Sequence, residues 1–184
     1  MKTKFKTLGI IAIAALSFTA CKNESKSDMQ KEEVKQENTV KNDQNQDRRI
    51  DFRHEKEAEV FYTYLDIKNA LVKTNAEETQ RIAKDFADNH EEKSEFHEPQ
   101  IYTLMAKIGE LEDVEEQREL FNELSQKIEP FLQAALKEGE IFKQYCPMAF
   151  NDEGAFWFSV NEEIFNPYFG DKMLHCGSVQ AIIK

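Results

Sequence analysis

The feature that most restricts the fold of this chain is a run of apolar residues at three- and four-residue spacing between Arg53 and Gly139. This spacing places the apolar side chains of each segment on one face of a helix. The residues that show it are Val60, Phe61, Tyr64, Leu65, Ile67, Leu71 and Val72, then Thr79, Ile82, Ala83 and Phe86, then Ile101, Leu104, Met105 and Ile108, and finally Val114, Phe121, Leu124, Ile128, Phe131 and Ala135. Four amphipathic segments with short connections predict a mainly α fold, an antiparallel four-helix bundle.

The ends of these helices have recognisable signals. Asn75 with Glu78, and Asp113 with Glu116, have the spacing of capping boxes, in which each side chain binds the backbone near the other. Gly139 predicts the end of the fourth helix. Pro130 lacks a backbone donor and clashes with the preceding turn, so a kink or break is expected there.

The last third of the chain has a different pattern. Ile141–Tyr145 and Ala155–Val160 are short aromatic and β-branched runs separated by turn residues, and 179–182 has the composition of a last strand. We expect a small C-terminal β-hairpin or irregular cap over one end or side of the bundle. Packing of this cap is expected to bring Cys146 near Cys176.

The first 20 residues have the layout of a secretory signal. Three lysines precede an apolar run from Leu8 to Ala20 that ends in small residues, and the run is short for a permanent membrane span. Residues 1–20 are therefore interpreted as a signal peptide, and the mature chain is expected to leave the cytoplasm.

Cys21 follows this signal directly and resembles the lipidated cysteine of bacterial lipoproteins. Several acyl chains on one cysteine give stable membrane anchoring where a single chain does not. The alternative is a plain secreted protein with an unmodified cysteine. The polar residues that follow cannot bury enough surface to fold, so 21–52 is interpreted as the lipidated cysteine and a disordered tether, and 53–184 as a single domain. The expected location is the cell envelope, on the periplasmic face or the surface of the outer membrane.

The charge and the motifs exclude several classes of function. The formal net charge is −11, which argues against nucleic acid and anionic membrane patches as partners. It is compatible both with cation binding and with an ordinary solvated acidic surface. No phosphate-binding loop, nucleophile elbow or zinc-protease motif is present, and a Cys146–His175 pair has no evident orienting partner. The chain is therefore not expected to be an enzyme.

Soft ligand types are concentrated at two places in the last third: Cys146 and Met148, and then Met173, His175 and Cys176. Thiolate, thioether and imidazole are ligands that copper(I) and zinc(II) accept, and thioethers suit copper(I) better. A disulfide between the two cysteines would instead close a loop of about 30 residues and contribute roughly 3 to 4 kcal/mol in the chain-entropy model. Two inert buried thiols are the third alternative.

Several runs resemble a known family. They are Y-C-P-M-A, G-A-F-W-F-S, N-P-Y-F-G and M-L-H-C-G in the last third, with A-L-V at Ala70–Val72 and Q-R-E-L-F-N-E-L-S at Gln117–Ser125 further upstream. The chain between about Val60 and Val179 is similar to a domain-of-unknown-function family of Gram-negative envelope lipoproteins. In that family the domain is also appended to periplasmic adaptor proteins of heavy-metal efflux systems for copper and silver. His175 stands where the family is expected to carry a small hydroxyl residue.

The resemblance and the soft ligands together give two hypotheses. In the first, the chain is an envelope lipoprotein that binds a soft metal of the copper(I) type for buffering or for handover to a heavy-metal efflux adaptor. Its candidate ligands are Cys146, Met148, Met173, His175 and Cys176. In the second, it is a non-enzymatic interaction module of the cell envelope, with a structural Cys146–Cys176 disulfide and an aromatic cap that docks another envelope protein.

Overall fold

A computed structural model describes residues 50–90 and 98–184. Its elements, in chain order, are β1 (Asp51–Phe52), α1 (Glu55–Val72), α2 (Ala76–Asn89), α3 (Pro99–Ile108), α4 (Val114–Ala135), β2 (Leu136–Glu138), β3 (Ile141–Cys146), a helical turn α5 (Ala149–Asp152), β4 (Ala155–Ser159), a 3₁₀ turn (Gly170–Lys172) and β5 (Ser178–Ile183). The expected signal peptide 1–20, the lipidated Cys21 and nearly all of the 21–52 tether lie outside the described residues.

The protein is mostly helical, with an antiparallel sheet in its C-terminal part. Helix α1 contacts α2 and α4, and α3 contacts both α2 and α4. The apolar faces expected from the sequence meet between these helices, and Tyr64, Leu71, Met105, Phe121 and Ile128 are fully buried there. In the part of the chain described here, no helix is long and apolar enough to cross a membrane.

The helix starts agree in part with their sequence signals. Asn75 caps α2, because its Oδ1 accepts from the amide of Glu78 at 3.1 Å. The carboxylate of Glu78 does not bind the backbone amide of Asn75, as a capping box would require. It binds the guanidinium of Arg81 instead, with Nε–Oε2 at 2.8 Å. Asp113 caps α4 through the amides of the second and third helical residues.

The end of α4 differs from the expectation. Pro130 does not break the helix, which continues to Ala135. Proline removes one backbone hydrogen bond, and the burial of Leu132 and Ala135 in the core holds the last turn in place. The helix also stops before Gly139, because Leu136 is extended and opens β2.

A two-stranded ladder joins β2 to the beginning of the domain. Asp51 is opposite Glu138 and Phe52 is opposite Leu136. Phe52 is buried, and its ring centroid lies 5.4 Å from that of Phe61. The folded part therefore includes Asp51 and Phe52, which the sequence pattern had placed in the tether.

The hairpin expected in the last third is formed by β3 and β4, and β5 adds a third strand on the other side of β3. The sheet meets α1 and α4 along its outer strand β4 and through Lys143 of β3. There, Tyr64 Oη accepts from the amide of Phe158 at 3.0 Å, and Lys143 Nζ lies 2.7 Å from a carboxylate oxygen of Glu129. Because side chains alternate along a strand, the face opposite Lys143 carries Gln144, Cys146 and Trp157.

Candidate dithiol site

Cys146 is the last residue of β3 and belongs to the same apolar core as the buried side chains of the helices. It pairs with Ala155 of β4 and is fully buried. Pro147 follows and cannot donate to a ladder, so the strand ends at the cysteine. The sequence thus fixes Cys146 at the rim of the sheet, next to the β3–β4 connection.

That connection has an unusual backbone. Phe150, Asn151 and Asp152 have φ of 53°, 55° and 68° and form a left-handed turn. Asn and Asp tolerate this conformation, whereas a phenylalanine there costs about 1 to 2 kcal/mol. The ring of Phe150 packs on Tyr168 at 5.3 Å between centroids. Met148, at the start of the turn, is 45% exposed.

The other half of the site lies in the segment between β4 and β5, where a buried asparagine organises the chain. Asn166 donates its backbone amide to Leu174 O at 2.8 Å and its side-chain Nδ2 to Cys176 O at 2.8 Å. Its Oδ1 accepts from the amides of Tyr168 at 2.8 Å and Phe169 at 3.3 Å. The asparagine of N-P-Y-F-G therefore holds the backbone of the second cysteine.

Arg118 of α4 fixes the same segment to the helices. It is 2% exposed, and its Nε donates to Pro167 O at 2.9 Å. Its Nη2 reaches Leu71 O at 3.3 Å and Thr74 Oγ1 at 3.1 Å, at the end of α1. Gly170 has φ of +55°, and a Cβ there would overlap the Thr74 hydroxyl. Only glycine allows the segment to approach Arg118 this closely.

A second glycine lets the segment approach the sheet beside Cys176. Gly177 has φ of +144°, and a Cβ on it would lie 2.8 Å from Tyr145 O and 3.0 Å from the Trp157 ring. Immediately afterwards, β5 pairs Ser178 with Tyr145. This close approach brings the residue before Gly177 to the end of β3.

The two cysteines meet at this point. Their Sγ atoms are 2.9 Å apart, and both thiols are free. Cys146 is buried, whereas Cys176 is partly exposed. The hydrogen bond to Cys146, followed by partial burial, raises the pKa of the Cys176 thiol to about 11. The expected proximity of Cys146 and Cys176 is therefore present, and the raised pKa keeps the Cys176 thiol protonated at neutral pH.

The other candidate ligands of this segment are His175 and Met173. His175 is exposed, and its Nδ1 lies 2.8 Å from Ile164 O. Since a carbonyl oxygen only accepts, Nδ1 of the neutral ring carries the hydrogen, and Nε2 bears the lone pair. Met173 is partly exposed. Among residues 50–90 and 98–184, no three His, Cys, Asp or Glu side chains converge as a metal site, so His175 does not join the two cysteines as a third such ligand.

Two buried residues with polar side-chain atoms lie on the same sheet face, and Gln144 was not singled out from the sequence. Gln144 pairs with Trp157, and both are fully buried. The Nε2 of Gln144 donates to the carbonyls of 161–163 at 2.8 to 3.1 Å. The Oε1 of Gln144 and the indole Nε1 of Trp157 have no protein partner. In the sequence, the available signal for Gln144 was the presence of a polar residue in a predicted strand that is otherwise rich in apolar residues.

A separate cleft of about 790 Å³ lies beside the start of α1. Its lining comes from four helices and includes several charged residues at and just before the start of α1. The residues that line it are Arg53, His54, Glu55, Lys56, Glu57, Val60, Phe86, Glu98, Ile101, Tyr102, Pro130, Phe131, Ala134 and Ala135. It contains none of the ligands expected from the sequence.

Comparison with known proteins adds one match. Residues 60–139 match the model of a family described as a protein of unknown function, DUF3347. The match covers less than half of the chain. No curated protein and no solved structure matches the chain significantly.

The matched region contains two of the runs noted in the sequence, Ala70–Val72 and Gln117–Ser125. Both have structural roles: Leu71 O and Arg118 are partners in the buried network that holds the C-terminal segment. The two cysteines and Asn166 lie beyond the matched residues. The match therefore includes the helices that support the dithiol site and excludes the thiols.

Proposed function

We propose that this protein is an envelope lipoprotein whose Cys146–Cys176 pair binds copper(I), for buffering or for handover to a heavy-metal efflux system. The observation that carries the proposal is the direct contact of two free thiols, one buried and one partly exposed. Thiolates are the ligands that copper(I) prefers. Met148, an exposed thioether two positions after Cys146, supports the same choice of ion.

The small number of ligands favours copper(I) over zinc(II). A structural zinc site takes four nitrogen, sulfur or oxygen ligands. In the described part of the chain, the two cysteines are not joined by a third His, Cys, Asp or Glu side chain. Two sulfurs suffice for copper(I) at low coordination number, with a thioether from Met148 or Met173 as a third donor.

His175 is a further candidate ligand, because one of its ring nitrogens, Nδ1, is already hydrogen-bonded to the backbone. Metal-binding histidines commonly donate the other ring N–H to a carbonyl, which fixes the tautomer. The Nδ1–Ile164 O contact of 2.8 Å supplies this arrangement and leaves Nε2 exposed. An exposed imidazole one position before Cys176 and an exposed thioether two positions after Cys146 would suit the transfer of an ion to a partner protein.

The larger context belongs to the same proposal. The signal peptide, the lipid on Cys21 and the tether would hold the domain in the envelope, close to an efflux adaptor. We infer that α1–α4 form an antiparallel four-helix bundle, which would serve as the rigid support for the site. The contacts of α1 with α2 and α4, and of α3 with the same two helices, support this arrangement.

The test is a copper(I) titration of the reduced full-length chain against a competing chelator. One ion per chain, bound more tightly than micromolar, is expected. Cys176→Ser and Cys146→Ser should each abolish binding, whereas Cys21→Ser is the matched control, because it removes a thiol outside the pair. No binding tighter than micromolar, or binding that survives in Cys176→Ser, would end the proposal.

A second candidate function is an envelope interaction module with a structural disulfide. Sulfurs 2.9 Å apart need only a small side-chain rotation to bond, which favours this candidate. Its aromatic docking surface has less support, because Trp157, Phe158 and Tyr168 are buried. Thiol counting by mass spectrometry on protein isolated from the envelope without reductant tests it: two free thiols at these positions would eliminate the disulfide.

A further inference from the structure

The separation of the two sulfurs discriminates between classes of soft ligand. Two thiolates on a tetrahedral zinc ion at about 2.3 Å lie about 3.8 Å apart, and linear coordination separates them further. The Sγ atoms of Cys146 and Cys176 are 2.9 Å apart. A trivalent pyramidal centre carries a lone pair that narrows the angle between its thiolates towards a right angle. Of these arrangements, such a centre requires the smallest increase in the distance between the sulfurs of Cys146 and Cys176.

We propose that the reduced Cys146–Cys176 pair captures trivalent arsenicals as a chelating dithiol. The inference rests on the reduced pair of the proposed function, and it concerns a second ligand class at the same sulfurs. With an organic arsenoxide, two As–S bonds form, while two S–H bonds and the arsenic–oxygen bond break. The oxygen leaves as water with both thiol protons. Arsenic remains trivalent, so no oxidant or reductant is needed.

The environments of the two thiols suit a reaction in two steps. Cys176 is partly exposed and can form the first As–S bond, and Cys146 is buried and in contact with it. The second bond then closes within one molecule, at the high effective concentration of a positioned partner. Burial of Cys146 also limits the access of water to that bond.

The test uses phenylarsine oxide on the reduced full-length Cys21→Ser chain, followed by intact-mass measurement. The expected result is one adduct per chain, with the mass of one phenylarsenic group less two hydrogens, that excess monothiol does not remove and a competing dithiol does. Cys176→Ser should lose the adduct. An absent adduct on the reduced chain, or an adduct that persists in Cys176→Ser, would overturn the inference.

Because Cys146 is buried, its replacement could disturb folding. A second control therefore blocks the two thiols without changing the sequence. The same chain, oxidised to the Cys146–Cys176 disulfide, should form no adduct, and an adduct on that form contradicts the proposal. The copper(I) titration on the same preparation separates the two ideas. An adduct without copper binding supports this inference and removes the proposed function. Copper binding without an adduct removes this inference alone.

Discussion

The side-chain Nδ2 of Asn166 donates to the carbonyl oxygen of Cys176 across 2.8 Å. The oxygen of the same amide accepts from the backbone of Tyr168 and Phe169, so both polar atoms of this buried side chain are hydrogen-bonded. The position of the second sulfur therefore depends on a residue ten positions away. Replacements of Asn166 should affect the site without touching either cysteine.

Asn166→Ala should destabilise the reduced protein by roughly 1 to 3 kcal/mol, because three backbone groups lose a buried partner. It should also slow formation of the Cys146–Cys176 disulfide, since the backbone of Cys176 loses its anchor. Urea unfolding and timed thiol oxidation measure the two effects. Asn161→Ala is the matched control, because Asn161 donates from its backbone to Ser159. Equal effects of the two replacements would contradict this role for Asn166.

Arg118→Met should cost about 3 kcal/mol or more, because the buried carbonyls of Pro167 and Leu71 lose a charged donor. Glu115→Gln should cost less than about 1 kcal/mol, because the Glu115 side chain is 62% exposed and screened by water. Denaturant unfolding of both variants tests the contrast. Comparable losses would mean that the ion pair, rather than the buried network, stabilises the segment.

The raised pKa of the Cys176 thiol gives the reduced protein a definite pH dependence. In the unfolded chain the thiol has an ordinary pKa of 9.0, and in the folded protein it is about 11. The folded state therefore favours the neutral thiol. Its stabilising contribution is complete below pH 9 and is lost as the pH rises through 11. Relative to Cys176→Ser, the reduced protein should lose stability across this range, as measured by thermal unfolding.

Alkylation measures the same ionisation directly. Because the thiolate is the nucleophile, the rate at which iodoacetamide modifies Cys176 should rise steeply between pH 9 and 11. The modified residue is identified by peptide mass spectrometry. A rate for Cys176 that is already at its plateau at pH 8 would contradict the hydrogen bond between the two thiols.

Tyr64→Phe should destabilise the protein by about 1 to 3 kcal/mol. The Tyr64 hydroxyl lies 2.8 Å from Ser125 Oγ and accepts from the amide of Phe158, so its removal leaves a buried strand amide without a partner. Burial raises the pKa of Tyr64 well above its usual value. Tyr62→Phe is the control, because Tyr62 is 48% exposed and should change the melting temperature little. Similar shifts for both would contradict the role of this contact between α1 and the sheet.

The helical part of the fold was largely predictable, because each helix carries a local signal. Asn75 and Asp113 cap α2 and α4 as their sequence positions indicate. The β1–β2 ladder was missed, because a strand of two residues has no periodicity. Sequence left a kink or a break open at Pro130, and the absence of a break depends on the burial of Leu132 and Ala135 by residues distant in sequence.

The site was only partly predictable. Sequence alone identified the five candidate ligands, and the hairpin pattern led to the expectation that Cys146 and Cys176 meet. It did not indicate that Asn166 and Arg118 hold the second cysteine, because Arg118 contacts Pro167 across 49 positions. Long-range contacts of this kind leave no spacing pattern in a single sequence.

The pairing of Tyr145 with Ser178 has a consequence for the dithiol site when the sheet edge opens. Cys176 lies two positions before Ser178, so separation of β5 from β3 would release the backbone that carries the second sulfur. The two thiols would then react independently, as they do in the unfolded chain. The chemistry of the pair is therefore a property of the completed sheet.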